Sequence, residues 1–131
     1  MSVLTKTLAI GAAISISAIW VPAVQASSVE QALTSVCEYT AQNDKGRVRK
    51  TLKNASLRLR DIYVGFECNG MSLLRWAMDK NAHETGEFIA KKLSKSILTE
   101  PEKDGQTILQ WAEANGHGGS ATVAAIQGRI N

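Results

Sequence analysis

The sequence predicts a mainly α-helical protein, a short stack of about three helix pairs of which the first is degenerate. Two observations lead to this fold class. The pattern Gly-x-(Ser/Thr)-apolar-Leu-polar-Trp-Ala occurs twice, starting at Gly70 and again 35 positions later at Gly105. After each copy, apolar residues recur at the spacing of an amphipathic helix. A period near 35 residues is typical of helical repeat proteins.

The first 26 residues have the layout of a secretory signal peptide. Residues 1–7 carry one positive charge, an uncharged and mostly apolar run follows over 8–21, and small residues stand at Val24 and Ala26. The apolar run is shorter than the about 20 residues that a membrane-spanning helix needs. We therefore predict cleavage after Ala26, a periplasmic or secreted location, no stable membrane span after cleavage, and one small domain over 27–131.

The chain has two cysteines, Cys37 and Cys68. In an exported protein an even pair favours a structural disulfide. A redox or metal site would need CxxC spacing or nearby histidines, and the sequence has neither. We predict a bond between these two residues.

The first helix pair is predicted over 28–55. Ser28 opens a segment with the pattern of a capping box. Asp44 can cap a second helix, in which Val48 and Leu52 lie four positions apart on one face.

An insertion near 56–67 is predicted to be extended or to form a short strand. Apolar and basic residues alternate over 57–60, and 62–66 is rich in residues that favour strands. Cys68, at the end of this insertion, would tie it back to the first helix.

The second and third helix pairs are predicted over 70–97 and 105–130. Ser72 and Thr107 are suited to cap the first helix of each pair, because a hydroxyl oxygen accepts hydrogen bonds from free backbone N–H groups. These helices should stop near 81–82 and 115–116, and the second helices are expected over 83–95 and 120–129. The turn over 100–105 is polar and has no apolar anchor.

The two motif copies resemble the ankyrin repeat. In 70–77 and 105–112 the glycine, the Ser or Thr, the leucine and the alanine match, and 115–117 matches the Asn-Gly-His turn. The sequence departs from the family at the histidine of the motif, where Arg75 and Gln110 stand. The resemblance therefore implies helix pairs without the hydrogen bonds that this histidine makes between repeats.

A second resemblance covers roughly residues 30–95. The predicted signal peptide, Cys37 and the segment Cys68-Asn69-Gly70 together resemble small exported bacterial proteins of domain of unknown function 3718. This resemblance implies an envelope location and no activity.

A cluster of basic side chains is the main functional indication. Seven basic residues and no acid occur over 45–60: Lys45, Arg47, Arg49, Lys50, Lys53, Arg58 and Arg60. One interpretation is a solvated helix face. The other is a site for an anionic partner, either an envelope component or an acidic protein. Nucleic acid is disfavoured, because no aromatic residues interleave with the cluster as single-strand binding requires.

The remaining candidate residues favour structural roles. His83 and His117 lie near the inter-helix turns, and too few further ligands accompany them for a metal site. Trp76 and Trp111 occupy a slot that is usually apolar, which favours core packing over sugar stacking. No motif for a cofactor, a phosphate loop or a catalytic nucleophile is present.

Two functions from different classes stay open. The first is a non-enzymatic binding or interaction module of the envelope. The alternative is a small periplasmic hydrolase with an acid or base that the sequence does not identify, Glu67 and Asp79 being the candidates near the Cys68 turn. Short stacked helix pairs offer shallow grooves rather than a deep cleft, which favours binding.

Overall fold

The computed structural model describes the backbone of residues 24–131 and the side chains from Ser28 onward. These residues form eight helices and a two-stranded antiparallel sheet, so the mainly α-helical class is confirmed. In chain order the elements are α1 (Val24–Ala41), α2 (Lys45–Asn54), α3 (Leu59–Ile62), β1 (Glu67–Cys68), β2 (Met71–Ser72), α4 (Leu73–Asp79), α5 (His83–Lys91), α6 (Lys95–Thr99), α7 (Ile108–Ala114) and α8 (Ala121–Ile130).

The predicted signal peptide lies outside the described residues as far as residue 23, and the backbone of 24–26 belongs to α1. From residue 24 onward, no helix has the length and apolarity that a membrane crossing requires.

The helices form two sets that pack side by side, α1, α4 and α7 in one and α2, α5 and α8 in the other. Helix α4 contacts both α1 and α7, and α5 contacts both α2 and α8. Helices α4 and α5 also pack on each other, so they lie at the centre of the helical assembly. Their buried side chains, among them Leu74, Met78 and Ile89, belong to one continuous apolar core.

The first helix pair differs from the prediction at its start. Ser28 lies inside α1 and does not cap it, because the backbone of the preceding residues 24–27 is already helical. Asp44 caps α2 as predicted: its Oδ1 accepts a hydrogen bond from the backbone N–H of Arg47 at 3.0 Å. Val48 and Leu52 are buried on the inner face of α2.

The prediction of an extended or short-strand insertion near 56–67 was wrong over 59–62 and is correct only at its end. Residues 59–62 form the short helix α3, because Leu59, Ile62, Tyr63 and Phe66 have helical spacing and pack against or within the core. Burial of this set outweighs the local alternation that suggested a strand. Only Glu67–Cys68 is a strand, and it pairs with Met71–Ser72.

A two-residue turn joins these strands. Asn69 and Gly70 both have positive φ, 53° and 82°. Positive φ at both positions is what an Asn-Gly hairpin turn of the type I′ kind requires. The motif glycine is therefore a hairpin residue in the first copy, directly before α4.

The helix starts of the two motif copies differ in detail. Thr107 forms a complete capping box with Gln110 at the start of α7. Ser72 precedes α4, but its side chain makes no capping hydrogen bond. The helix predicted over 83–95 ends at Lys91, and a separate helix α6 begins after Ser94, whose hydroxyl accepts from the N–H of Ile97 at 3.2 Å.

The disulfide joins the first helix to the hairpin. Cys37 on α1 and Cys68 on β1 are bonded, with their Cα atoms 5.6 Å apart. Trp76 on α4 donates its indole N–H to the Cys37 carbonyl at 2.8 Å. Helix α1, the hairpin and α4 are thus held together at one place.

Helices α5 and α8 approach each other closely at Gly86. A Cβ atom added there would overlap with the Thr122 hydroxyl and lie 2.9 Å from its methyl carbon. We expect Gly86→Ala to lower the free energy of unfolding by about 1–3 kcal/mol, because overpacking outweighs the better helix propensity of alanine. Denaturant unfolding followed by circular dichroism measures this change.

Two further variants control this prediction. Thr122→Ala removes both clashing atoms. The loss of unfolding free energy in the double variant Gly86→Ala/Thr122→Ala should therefore be smaller than the sum of the losses in the two single variants. Gly128→Ala on α8 has nothing within 4 Å of the new Cβ and should be neutral or slightly stabilising. Equal effects of Gly86→Ala and Gly128→Ala would contradict the close approach.

Candidate functional site

A groove lined by basic side chains is the most distinctive surface of the described residues. Its volume is about 430 Å³. None of its lining residues is acidic, and seven are basic: Arg49, Lys53, Arg58, Arg60, Lys91, Lys92 and Arg129. The other lining residues are apolar: Leu52, Leu57, Leu59 and Phe88. We call this cavity the basic groove. No carboxylate lines the groove, and the acidic neighbour of a lining residue, Asp61 beside Arg58, lies outside the lining.

The seven basic residues predicted from the sequence are all exposed, but only four line the groove. Arg49 and Lys53 come from α2, and Arg58 and Arg60 from the start of α3. Lys45 and Lys50 also belong to α2, yet they do not line it. The predicted cluster is therefore divided between the groove and the rest of α2.

Arg47, the remaining member of the cluster, is held elsewhere. Its Nε lies 3.4 Å from Asp44 Oδ2, and its guanidinium lies over the Tyr39 ring at 5.4 Å from the centroid. Arg58 also has an acidic neighbour, with Nε 3.3 Å from Asp61 Oδ2, but both side chains are more than half exposed. Such an exposed pair contributes about 0–1 kcal/mol and leaves Arg58 available to a ligand.

Three groove residues were missed by the sequence analysis: Lys91, Lys92 and Arg129. Packing of α5 against α2 and α8 brings them beside the 49–60 segment. Arg129 donates its Nε–H to the Leu93 carbonyl at 2.9 Å, and the Lys92 ammonium lies 5.7 Å from the centroid of Phe88. The pair Lys91-Lys92 was visible in the sequence, but its neighbourhood depends on tertiary packing.

Helix ends account for part of this charge. Lys53, Lys91 and Arg129 lie in the last turns of α2, α5 and α8. A basic residue there interacts favourably with the helix dipole, by about 0.3–1 kcal/mol. Arg49 and Arg58 lie outside any last turn, so the groove is more basic than its helix ends require.

A second cavity of about 580 Å³ contains the most strongly paired charges that the structure describes. Arg75 on α4 is only 11% exposed at its side chain, and its two terminal nitrogens donate to the two carboxylate oxygens of Asp104 at 2.7 and 2.9 Å. Its Nε lies 2.8 Å from Glu102 Oε1, although the N–H does not point at that oxygen. Glu102 also accepts from the Tyr63 hydroxyl at 2.8 Å.

These contacts shift the titration of the cluster. The hydrogen bond from Arg75 holds the pKa of Asp104 well below its ordinary 3.8, with help from the backbone N–H of Gln106. The same hydrogen bond raises the pKa of Arg75. Burial, followed by the nearby charge of Glu102, raises the pKa of the Tyr63 hydroxyl. The cluster keeps its charges paired, which suits a structural tie better than a proton-transfer site.

Arg75 also links α4 to the turn before α7. In the ankyrin resemblance a histidine would stand at this position, and its hydrogen bonds between repeats were expected to be absent. Arg75 instead crosses to the turn before α7, donating to Asp104 and to the Gln106 carbonyl at 3.3 Å. The polar turn over 100–105 is thus anchored by charge rather than by apolar contact.

Neither candidate hydrolase carboxylate pairs with Arg75, although Glu67 lies in the same cavity. Glu67 lines the second cavity and pairs with Lys103 at 3.0 Å. Asp79 ends α4 and lies 3.9 Å from Lys80. Both are exposed and face a lysine.

The histidines and tryptophans make contacts within the fold. His83 Nδ1 lies 2.9 Å from Thr122 Oγ1, and His117 stacks on Trp111 at 5.6 Å between ring centroids. Trp76 and Trp111 are partly buried against the core. Among the residues with described side chains, no group of three His, Cys, Asp or Glu could hold a metal ion.

Comparison with known protein families gives a match over the middle of the chain. Residues 36–99 match the family model of a protein of unknown function, DUF3718. This match supports the DUF3718 family. The DUF3718 region contains both cysteines, the hairpin and every groove residue except Arg129. No curated protein and no solved structure matches the chain.

Proposed function

We propose that this protein is a non-enzymatic binding module of the bacterial envelope that holds an anionic ligand in the basic groove. The observation that carries the proposal is the convergence of seven basic side chains, without a lining carboxylate, on one groove. Like charges brought together repel one another, and a bound anion relieves that repulsion. Four of the seven are arginines, whose planar guanidinium can bind a phosphate or carboxylate through two hydrogen bonds.

The proposed location is the periplasm or the exterior, reached through a signal peptide at 1–26. The disulfide between Cys37 and Cys68 supports it, since such bonds persist in oxidising compartments. The match to the DUF3718 family is compatible with this location.

We also propose that the helices form an ankyrin-like stack. Its support is the packing of first helices on first helices, α1 on α4 and α4 on α7, and of second helices on second helices, α2 on α5 and α5 on α8. A linear stack of this kind presents shallow surfaces that are suited to binding.

Two matched triple variants test the groove. The groove triplet is Arg49→Gln, Lys53→Gln and Lys92→Gln. The control triplet is Lys45→Gln, Lys50→Gln and Lys95→Gln, which removes the same charge and also takes two residues from α2 but none from the groove. We expect the groove triplet to elute from heparin at lower salt and to bind dodecyl phosphate about tenfold more weakly, whereas the control triplet should stay within about twofold.

The comparison separates a site from a merely charged surface. Screening shortens the reach of exposed charges to about 10 Å at 0.1 M salt, so groove-dependent binding should also weaken with salt. Equal losses in the two triplets would mean that only net charge matters, which contradicts the proposal. Circular dichroism and thermal melting of both triplets exclude unfolding as the cause.

A further inference from the structure

We infer that the ligand of the basic groove is an anionic amphiphile, a single molecule with a phosphate or carboxylate head and an alkyl chain. This inference rests on the proposed function and specifies its ligand class. It follows from the two kinds of surface that the groove combines: buried and partly buried apolar side chains, which we call its floor, and exposed basic side chains, which we call its rim.

The floor is apolar and firmly supported. Leu52 and Leu59 are 6% and 4% exposed and belong to the core. Leu57 and Phe88 pack against that core but stay partly exposed in the groove. Apolar surface left in contact with water is unfavourable, and an alkyl chain laid along these side chains would remove it from water.

The rim offers donors that suit a compact anionic head. Four arginines and three lysines line it. The hydrogen bond from Arg129 Nε to the Leu93 carbonyl restrains that guanidinium in advance of binding. Restraint before binding reduces the entropy that a ligand must overcome.

An amphiphile would contact both the apolar floor and the basic rim, whereas other ligands would contact only one of the two. A soluble polyanion would engage the rim and leave the floor in water, and a neutral lipid would cover the floor and leave the charges unpaired. The volume of about 430 Å³ lies within the roughly 300–1,000 Å³ of ligand pockets. Size, apolar floor and basic rim together favour one lipid-like anion.

Calorimetric titration of the oxidised protein, purified from a secreting host, tests the inference. The probes are octyl, decyl and dodecyl phosphate below their micelle concentrations, with inorganic phosphate and dodecylphosphocholine as controls. We expect the affinity to rise about two- to fourfold per added methylene. Inorganic phosphate, which has no chain, and dodecylphosphocholine, which has no net charge, should each bind at least about tenfold more weakly than dodecyl phosphate.

Two apolar-to-polar variants test where the alkyl chain of the ligand binds. Leu57→Gln alters the groove floor and should flatten the dependence on chain length. Val64→Gln alters an apolar residue that is 76% exposed outside the groove and should leave the dependence unchanged. The titrations of the unaltered protein and the groove triplet decide the ligand class even if Leu57→Gln fails to fold.

Each contrary outcome has its own meaning. Groove-dependent heparin binding with no effect of chain length would overturn the amphiphile and leave the proposed anion site standing. If Val64→Gln abolished the dependence of affinity on alkyl chain length and Leu57→Gln did not, the alkyl chain would bind outside the groove. That result would overturn the inference. Failure of both heparin and alkyl phosphates to show groove dependence would overturn the proposed function as well.

Discussion

Replacing Cys37 and Cys68 together with serine is expected to lower the free energy of unfolding by about 3–4 kcal/mol. The bond closes a loop between residues 31 positions apart, and its loss frees that loop in the unfolded chain. The melting temperature should fall by about 15 °C or more for a domain of this size. The helical circular dichroism at low temperature should persist, because the core does not depend on the sulfur atoms alone.

Removing the disulfide should also weaken binding in the basic groove. Arg49, Lys53, Arg58 and Arg60 all lie between the two cysteines. Dodecyl phosphate should therefore bind the double serine variant more weakly, even at temperatures where it is folded. Non-reducing peptide mapping of protein from a secreting host provides the control. Two free thiols in that protein, or a variant as stable as the parent, would contradict the structural role of the bond.

Replacing Arg75 with methionine is expected to lower the free energy of unfolding by about 2–3 kcal/mol. Glu102 is only 16% exposed and would lose its positive partner while keeping the cost of burial. Asp104 is 45% exposed and can be hydrated, so the expected loss lies below that for a fully buried pair. Denaturant unfolding measures the change.

The matched control for this change is Lys103→Met in the neighbouring exposed pair. Lys103 is 81% exposed beside Glu67, so its replacement should cost less than about 0.5 kcal/mol. Similar losses in the Arg75 and Lys103 variants would show that Arg75 is not a tie between α4 and the turn before α7.

The contribution of the Arg75–Asp104 pair should also depend on pH. The pKa of Asp104 is depressed in the folded protein, so its stabilisation is present above the ordinary value of 3.8 and is lost as the pH falls toward the depressed value. As the pH falls, the free energy of unfolding of the parent should therefore decrease more than that of Arg75→Met. The two free energies of unfolding should become equal in strong acid. A constant difference from neutral pH to strong acid would contradict the pairing.

Much of the local structure follows from the sequence because neighbouring residues control it. The caps at Asp44 and Thr107, the buried pair Val48 and Leu52, and the end of α7 at the Asn-Gly turn depend on contacts within a few positions. The hairpin at Asn69-Gly70 is equally local, since Asn-Gly favours such a turn, but we did not predict it from the sequence. The even cysteine pair left one intramolecular pairing available.

Two elements depended on burial rather than on local pattern. Residues 57–60 alternate like a strand, but a strand would place Leu59 and Ile62 on opposite faces, whereas the helix brings both to the core. The break between α5 and α6 places Leu98 in the core, and the local cap at Ser94 only marks where α6 begins. In both places the apolar contacts come from residues distant in the chain, which a local pattern does not contain.

The helical class and the basic cluster over 45–60 follow from residues that are close in the chain, and the cysteine pair follows from there being two cysteines. Which of the charges meet depends on the packing of the helices. This packing brought Lys91, Lys92 and Arg129 to one part of that cluster, left Lys45 and Lys50 outside, and joined Arg75 to the acidic turn over 102–104. The physical reason is that charge and helical period can be seen along a chain, whereas the neighbours of a side chain depend on how the helices pack.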